Sequence, residues 1–255
     1  MSRTLLVIPY YNDAERLEPF LKDLVQVLPS HFAILVSDDG SHPLQRERLS
    51  RALGQYLDQS RGEAPHVLPP LFVEKNSGKG AAVRRGWDYG EAHGFTLLAF
   101  ADADGAVSAL EIVRAEQHIR DNHQEINALF GSRVKMLGRS VTRSLKRHLS
   151  GRIFATLVSW LGNVPAYDTQ CGLKILKSES YRTIRPAMQT PGFAFDVELC
   201  LLLQKAGCRV SEFPVDWHDV PGSKVSLLRD PLRMAIEVVK ISRHVKSAGL
   251  SRSVA

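Results

Sequence analysis

Short apolar runs alternate with longer amphipathic stretches along the N-terminal part of the chain. After Thr4, Leu5-Leu-Val-Ile8 is unbroken by polar residues, the pattern of a strand covered on both faces. From Ala14 to Leu28, the positions Leu17, Leu21, Leu24, Val25 and Leu28 share one face of a helix. A second strand is expected over Phe32–Val36, a helix over Leu44–Leu57, and a polar, proline-rich loop over Ser60–Pro70 leading into a strand Leu71-Phe-Val73. A helix over Gly80–Ala92 and a strand over Phe95–Phe100 complete the rhythm. Strand and helix in strict alternation predict an α/β domain with a doubly wound, mostly parallel sheet. Beyond the strand-like Asn127-Ala-Leu-Phe-Gly131 the pattern is less regular, with helices expected over Ser144–Leu161, Asp196–Lys205 and Leu232–Val245.

Composition narrows the class. A chain of 255 residues with 44% hydrophobic content can bury a large core without cross-links. One domain over 1–246 with a disordered tail over 247–255 is the expected organisation. Cys171, Cys200 and Cys208 are odd in number and lack a Cys-x-x-Cys spacing, which points away from a disulfide framework or a zinc site and towards a reducing cytosol. Met1–Asn12 lacks the pattern of a signal peptide, and the apolar stretch Ile153–Leu161 is too short to span a bilayer. Membrane contact is therefore expected to be peripheral.

Candidate chemistry gathers at the predicted strand ends. Asp102-Ala-Asp104 follows the strand Phe95–Phe100 directly, where open α/β sheets bind ligands. Two hard oxygen donors there suit Mg²⁺ or Mn²⁺ and a diphosphate, although the same residues serve equally to end a strand or cap a helix. The other strands also end in functional groups: Pro9-Tyr-Tyr-Asn-Asp13, Asp38-Asp-Gly-Ser41 and Asn76-Ser-Gly-Lys-Gly80. Parallel strands expose these ends on one edge, so the loops can converge on one crevice. A phosphate-binding P-loop is excluded because Val73 and Gly80 stand where it needs Gly and Ser or Thr. A dinucleotide fingerprint is excluded because Val83 replaces its third glycine.

These segments resemble family 2 glycosyltransferases of the GT-A fold, and within them the dolichyl-phosphate β-glucosyltransferases and related polyprenyl-phosphate glycosyltransferases. The later segments Gly131-Ser-Arg133, Asp168-Thr-Gln-Cys-Gly-Leu-Lys174, Phe195-Asp-Val-Glu-Leu199 and Trp217 with Gly222-Ser-Lys224 continue the likeness. Asp13 stands where that family usually has Glu, and Leu173 where it usually has Phe. The hydrophobic N-terminal anchor of the eukaryotic dolichyl enzymes has no counterpart here, so a polyprenyl phosphate is expected rather than dolichyl phosphate specifically. The resemblance implies a Rossmann-like nucleotide-sugar-binding half over 1–106 and an acceptor- and membrane-side elaboration over 107–246. It implies donor contacts from Pro9, Tyr11, Asp13, Asp38, Asp39, Lys79 and Asp102, and a divalent cation on Asp104 and Asp102 with Asp104 the better ligand. It further implies catalytic parts for Asp104, Asp196 and Arg133, and a loop at Ser223 and Lys224 that closes over the donor. Asp196 and Glu198, two residues apart on a helix, cannot share one face, so only one is expected in the site.

The stretch Ile126–Tyr167 holds seven Lys or Arg residues and no Asp or Glu. A solvated helix face is the plain reading. Beside Leu149, Ile153, Phe154, Leu157 and Trp160, however, the charges form a basic amphipathic element suited to an anionic membrane surface. Arg133, Arg143 and Arg147 are candidates for an acceptor phosphate, since a guanidinium matches phosphate oxygens with paired donors. The net charge of +6 admits nucleic acid, but no recognition module accompanies it, so no nucleic-acid partner is expected. Expected function is inverting, metal-dependent transfer of a hexose, glucose by resemblance, from a UDP-sugar to a polyprenyl phosphate at the cytoplasmic membrane face. A membrane protein that presents the product is a further candidate partner. The alternatives are a family 2 transferase with a saccharide or other hydroxyl acceptor, for which Asp196 or Glu198 is the base, and a non-catalytic nucleotide-sugar-binding protein.

Overall fold

The computed structural model describes residues 3–57, 65–142, 167–220 and 230–250, with the backbone alone over 230–235. Its centre is a seven-stranded sheet. The N-terminal strands β1 (Thr4–Tyr10), β2 (Phe32–Asp38), β3 (His66–Val67) and β4 (Leu97–Ala101) run parallel in the order β3-β2-β1-β4. Beyond β4 the order continues through β7 (Leu173–Lys177), β5 (Ala128–Ser132) and β8 (Val210–Pro214). A separate parallel pair joins β6 (Val141–Thr142) to β9 (Trp217–His218).

Alternation along β1 shows why Leu5–Ile8 is apolar throughout. Leu5 and Val7 face a layer that includes Val83 and Trp87 of α3 (Lys79–Ala92). Leu6 and Ile8 face the opposite layer, with Leu17, Leu21 and Leu24 of α1 (Ala14–Val27) and Ile112 and Ile119 of α4 (Ala109–Asp121). Each such buried side chain contributes about 2 kcal/mol relative to exposure. Leu49 and Leu53 of α2 (Pro43–Leu57) extend the second layer. Tyr181 of α5 (Ser178–Ile184), Phe195 to Leu203 of α6 (Phe195–Lys205) and Val238 of α7 (Asp230–Ser247) extend the first. The sheet is thus covered by helices on both faces, as the alternating pattern predicts.

Three differences from the sequence reading matter. The strand expected at Leu71-Phe-Val73 lies earlier, at β3, and only Leu71 bridges to Ser37. Leu68 N donates to Ile34 O and Leu71 N to Val36 O; between them Pro69 and Pro70 have no N–H to offer, so the ladder breaks there. Second, β7, for which the hydrophobic pattern gives no strand, runs antiparallel between β4 and β5 with Lys174 opposite Phe100. Its charged, fully buried Lys174 interrupts the apolar run that marks the other central strands. Third, α7 extends to Ser247, and Ala248 and Leu250 pack against the core. The helix expected over Ser144–Leu161, and with it Arg143 and Arg147, lies outside the described residues, as does the loop with Ser223 and Lys224.

Candidate active site

A cavity of about 400 Å³ opens at the carboxyl ends of the parallel strands. Pro9 and Tyr11 reach it from the end of β1, Asp39 from the turn after β2, and Asn76, Gly78 and Lys79 from the entry to α3. Asp102 and Asp104 supply one wall immediately after β4, and Asp13, Arg16 and Phe193 are also in the lining. The strand-end loops therefore meet in space as parallel topology requires. A second cavity of about 610 Å³ adjoins it across Asn76, Gly78 and Phe193, between the 189–193 loop and α7. Its lining holds Glu198 and Glu237 but neither Asp102 nor Asp104.

Backbone constraints shape that wall. Gly78 adopts φ +105°, and a β-carbon there would lie 2.5 Å from Pro191 O, so the turn into α3 requires glycine on both counts. The N–H groups of Ser77 and Gly78 donate to Asp39, at 3.1 and 2.6 Å, and Arg85 pairs with the same carboxylate at 2.8 Å. Asp39 thus ties the β2 loop to the α3 loop while lining the cavity. Its neighbour Asp38, expected to hold the donor, is fully buried outside the cavity lining; it pairs with Arg46 at 3.0 Å and accepts from Ser41 N. Asp38 is consequently a loop anchor in this arrangement.

The carboxylate pair is embedded in opposite charge. Lys79 Nζ lies 2.6 Å from Asp102 Oδ1 and 4.9 Å from the Phe100 ring centre. Burial opposes the charge on both partners, yet attraction outweighs it, holding the Lys79 ammonium above and the Asp102 carboxyl below their ordinary ranges. Asp104 is pushed up, by burial first and by the charge of Asp102 second. Its Oδ1 accepts from Ala106 N at 3.1 Å, and Arg16 Nη1 approaches Oδ2 at 3.7 Å. The donor set suits a divalent cation: two carboxylates follow one strand end, with room for ligands from a diphosphate and water. Among the described residues no group of three or more His, Cys, Asp or Glu side chains forms a protein-only cage. Asp104 and Asp102 are the residues that would hold the ion.

Three further expected site residues are engaged by side chains of the protein itself. Asp13 lines the cavity but is clasped by Arg16, whose Nε donates to Oδ1 at 2.8 Å and whose Nη2 donates to Oδ2. Arg133 is locked to Asp168 through Nε at 2.6 Å, Nη2 at 2.8 Å and its backbone N at 3.0 Å, and its guanidinium lies 5.6 Å from the Trp217 ring centre. A two-pronged carboxylate bond uses the same donors a phosphate would need. Asp196 is 1% exposed and stands 3.0 Å from the fully buried Lys174, outside the lining of the catalytic cavity. Burial pushes its carboxyl up, against the pull of Lys174. Glu198 accepts from Gln189 N and Thr190 N and lines the second cavity, so neither acid lines the cavity with Asp102 and Asp104.

Sequence reasoning passed over four residues. Arg16 had a local signal, standing three positions after Asp13 on the first turn of a helix. Phe193 lines both cavities from a loop that no periodicity marks. Lys174 and Gly172 belong to the entry of β7: Lys174 donates to Thr169 O at 2.7 Å and to Cys171 O, and Gly172 O accepts from Asp102 N at 3.0 Å. An antiparallel strand starts where its parallel neighbours end, which brings the 168–172 segment to the crevice.

A GT-A glycosyltransferase is the class that this sheet and strand-end carboxylate pair define. The chain belongs to the family described as glycosyl transferase family 2, which it matches over residues 5–173. It is 30% identical over 250 residues to a dolichyl-phosphate beta-glucosyltransferase of Saccharomyces cerevisiae, covering 92% of this chain and 73% of that one. A protein of the same description from Drosophila melanogaster is 31% identical over 249 residues, covering 92% and 73%. Among solved structures, glucosyl-3-phosphoglycerate synthase of Mycobacterium tuberculosis superposes with a TM-score of 0.64 at 15% identity, over 97% of this chain and 82% of that one. That enzyme has also been crystallised with Mn²⁺, UDP-glucose and phosphoglyceric acid. Mannosyl-3-phosphoglycerate synthase of Rubrobacter xylanophilus gives a TM-score of 0.64 at 14% identity, over 96% and 74%. At these identities the structural likeness concerns the fold.

Proposed function

We propose that this protein transfers glucose from a UDP-sugar to a polyprenyl phosphate, inverting the anomeric carbon. The observation that carries the reading is Asp102 and Asp104 at the end of β4, facing loops from β1, β2 and α3 across one cavity of about 400 Å³. The names of the relatives support the acceptor class, and the ligands of the structural neighbour support UDP and a divalent cation. In the reaction the anomeric carbon–oxygen bond to the diphosphate breaks while an acceptor phosphate oxygen bonds the opposite face. When bound at Asp104 and Asp102, Mg²⁺ or Mn²⁺ supplies charge stabilisation to the departing diphosphate. Lys79 adds a fixed positive charge beside that group, and Pro9, Tyr11 and Asp39 line the space for the nucleoside. A phosphate acceptor is already ionised at neutral pH and needs no general base, which agrees with the engagement of Asp196 by Lys174.

Peripheral work at the cytoplasmic membrane face is part of the proposal. Among the described residues no helix is long and apolar enough to cross a membrane. Leu137 is 99% exposed and Met136 51% exposed, next to the exposed Lys135 and within the basic stretch 126–167. Exposed apolar tips among cations suit an anionic interface. Arg133, Arg143 and Arg147 remain the proposed acceptor-phosphate residues, Arg133 only if Asp168 yields its donors. The test is a donor and acceptor screen with Mn²⁺ or Mg²⁺, read by mass spectrometry. A lipid-linked hexose formed from UDP-glucose is expected. Transfer to saccharide hydroxyls alone overturns the acceptor assignment, and no turnover of any nucleotide-sugar overturns the enzyme.

A further inference from the structure

Each carboxylate of the pair is covered by a cation of the chain itself: Lys79 at 2.6 Å from Asp102 and Arg16 at 3.7 Å from Asp104. Arg16 is held in place rather than loosely exposed. Asp13 takes its Nε and Nη2, leaving Nη1 as the nitrogen nearest Asp104. Asp13, Asp102 and Asp104 are therefore faced by two resident positive charges before any ligand arrives. A bare divalent cation on the pair meets those like charges at close range, where repulsion is weakly screened. A nucleoside diphosphate changes the balance, because its oxygens offer Arg16 and Lys79 new acceptors and share ligation of the cation.

We propose that Arg16 and Lys79 form an electrostatic interlock that makes divalent-cation binding at Asp102 and Asp104 conditional on the donor diphosphate, so that cation and nucleotide enter as a coupled pair. This rests on the reading of the cavity as a nucleoside-diphosphate donor site. Asp13 is then a positioning residue for Arg16. Coupling is reciprocal: the factor by which UDP tightens Mn²⁺ equals the factor by which Mn²⁺ tightens UDP.

The experiment measures Mn²⁺ binding to the full chain by electron paramagnetic resonance, with and without UDP, and UDP binding by calorimetry, with and without Mn²⁺. Wild type is compared with Arg16→Gln, Arg16→Lys and Lys79→Met. In wild type, UDP is expected to tighten Mn²⁺ by about tenfold or more. Arg16→Gln and Lys79→Met are expected to bind Mn²⁺ alone about tenfold tighter than wild type, with reduced coupling, while Arg16→Lys stays near wild type. If wild type binds Mn²⁺ and UDP but shows no coupling, or if neither neutral variant gains affinity for Mn²⁺ alone, the interlock is wrong and the donor site stands. If wild type binds no UDP with or without Mn²⁺, the donor-site reading falls and the interlock with it.

Discussion

Gly172 and Asp102 touch so closely that a β-carbon on Gly172 would sit 2.7 Å from Asp102 Cγ and nearer still to its Oδ2. The backbone of β7's entry thus sets the position of a carboxylate on β4. Gly172→Ala is expected to displace Asp102 and lower transfer by roughly 100-fold, since a misplacement of about 1 Å suffices for such a loss. Far-UV circular dichroism should remain that of wild type. Unimpaired turnover in this variant would show that the Asp102 position is not critical.

Asp104→Ala removes the proposed principal ligand of the cation without touching a core contact. Transfer supported by Mn²⁺ is expected to fall by at least ~100-fold, in line with loss of a main electrostatic stabiliser. Thermal unfolding should shift little. Activity near wild type, measured over a range of Mn²⁺ concentrations, would reject the assignment.

Lys174 and Asp196 form a buried pair, so removing either charge strands the other. Asp196→Asn and Lys174→Met are each expected to cost about 3 kcal/mol in denaturant unfolding. The double variant should cost clearly less than the sum, and additive costs would mean that the two charges do not support each other. Asp196→Asn should also retain most of its kcat with a phosphate acceptor once its lower stability is allowed for. A collapse of kcat with donor binding intact would instead mark Asp196 as a base.

Asp168 is expected to give an acid limb of stability. Burial opposes its ionisation, but the charge and hydrogen bonds of Arg133 outweigh that and hold the carboxyl down at about 2. A depressed folded-state value stabilises the protein above the unfolded value near 4 and loses that contribution as pH falls from about 4 towards 2. The contribution is roughly 2 kcal/mol, given the partial exposure of Arg133. Comparing urea unfolding of wild type and Asp168→Asn from pH 6 to pH 2.5 tests this. The stability gap should close towards the acid end, and a constant gap contradicts the ion-pair account.

Leu137→Glu should weaken co-sedimentation with anionic vesicles by roughly tenfold, the value of withdrawing one apolar side chain from the interface. Transfer to a short-chain, water-soluble prenyl phosphate should be unaffected. Equal vesicle binding by both proteins would remove this loop from the membrane contact.

Much of this molecule was written locally. Apolar runs such as Leu5–Ile8 had to be covered on both faces, so strand–helix alternation led to a doubly wound sheet. The same alternation placed Pro9, Asp39, Lys79, Asp102 and Asp104 at strand or helix ends on one edge, and they do meet around one cavity. What each side chain does once there was decided by tertiary structure. Asp38 and Asp39 are neighbours in sequence, yet one anchors Arg46 while the other ties two loops together beside the cavity. Arg133 found Asp168, Asp196 found Lys174, and Asp102 found both Lys79 and the bare backbone of Gly172. Periodicity reports burial one element at a time, whereas ion pairs depend on which distant elements pack together. The antiparallel insertion of β7 is the clearest case, since a strand's direction is set by its neighbours and not by its own residues.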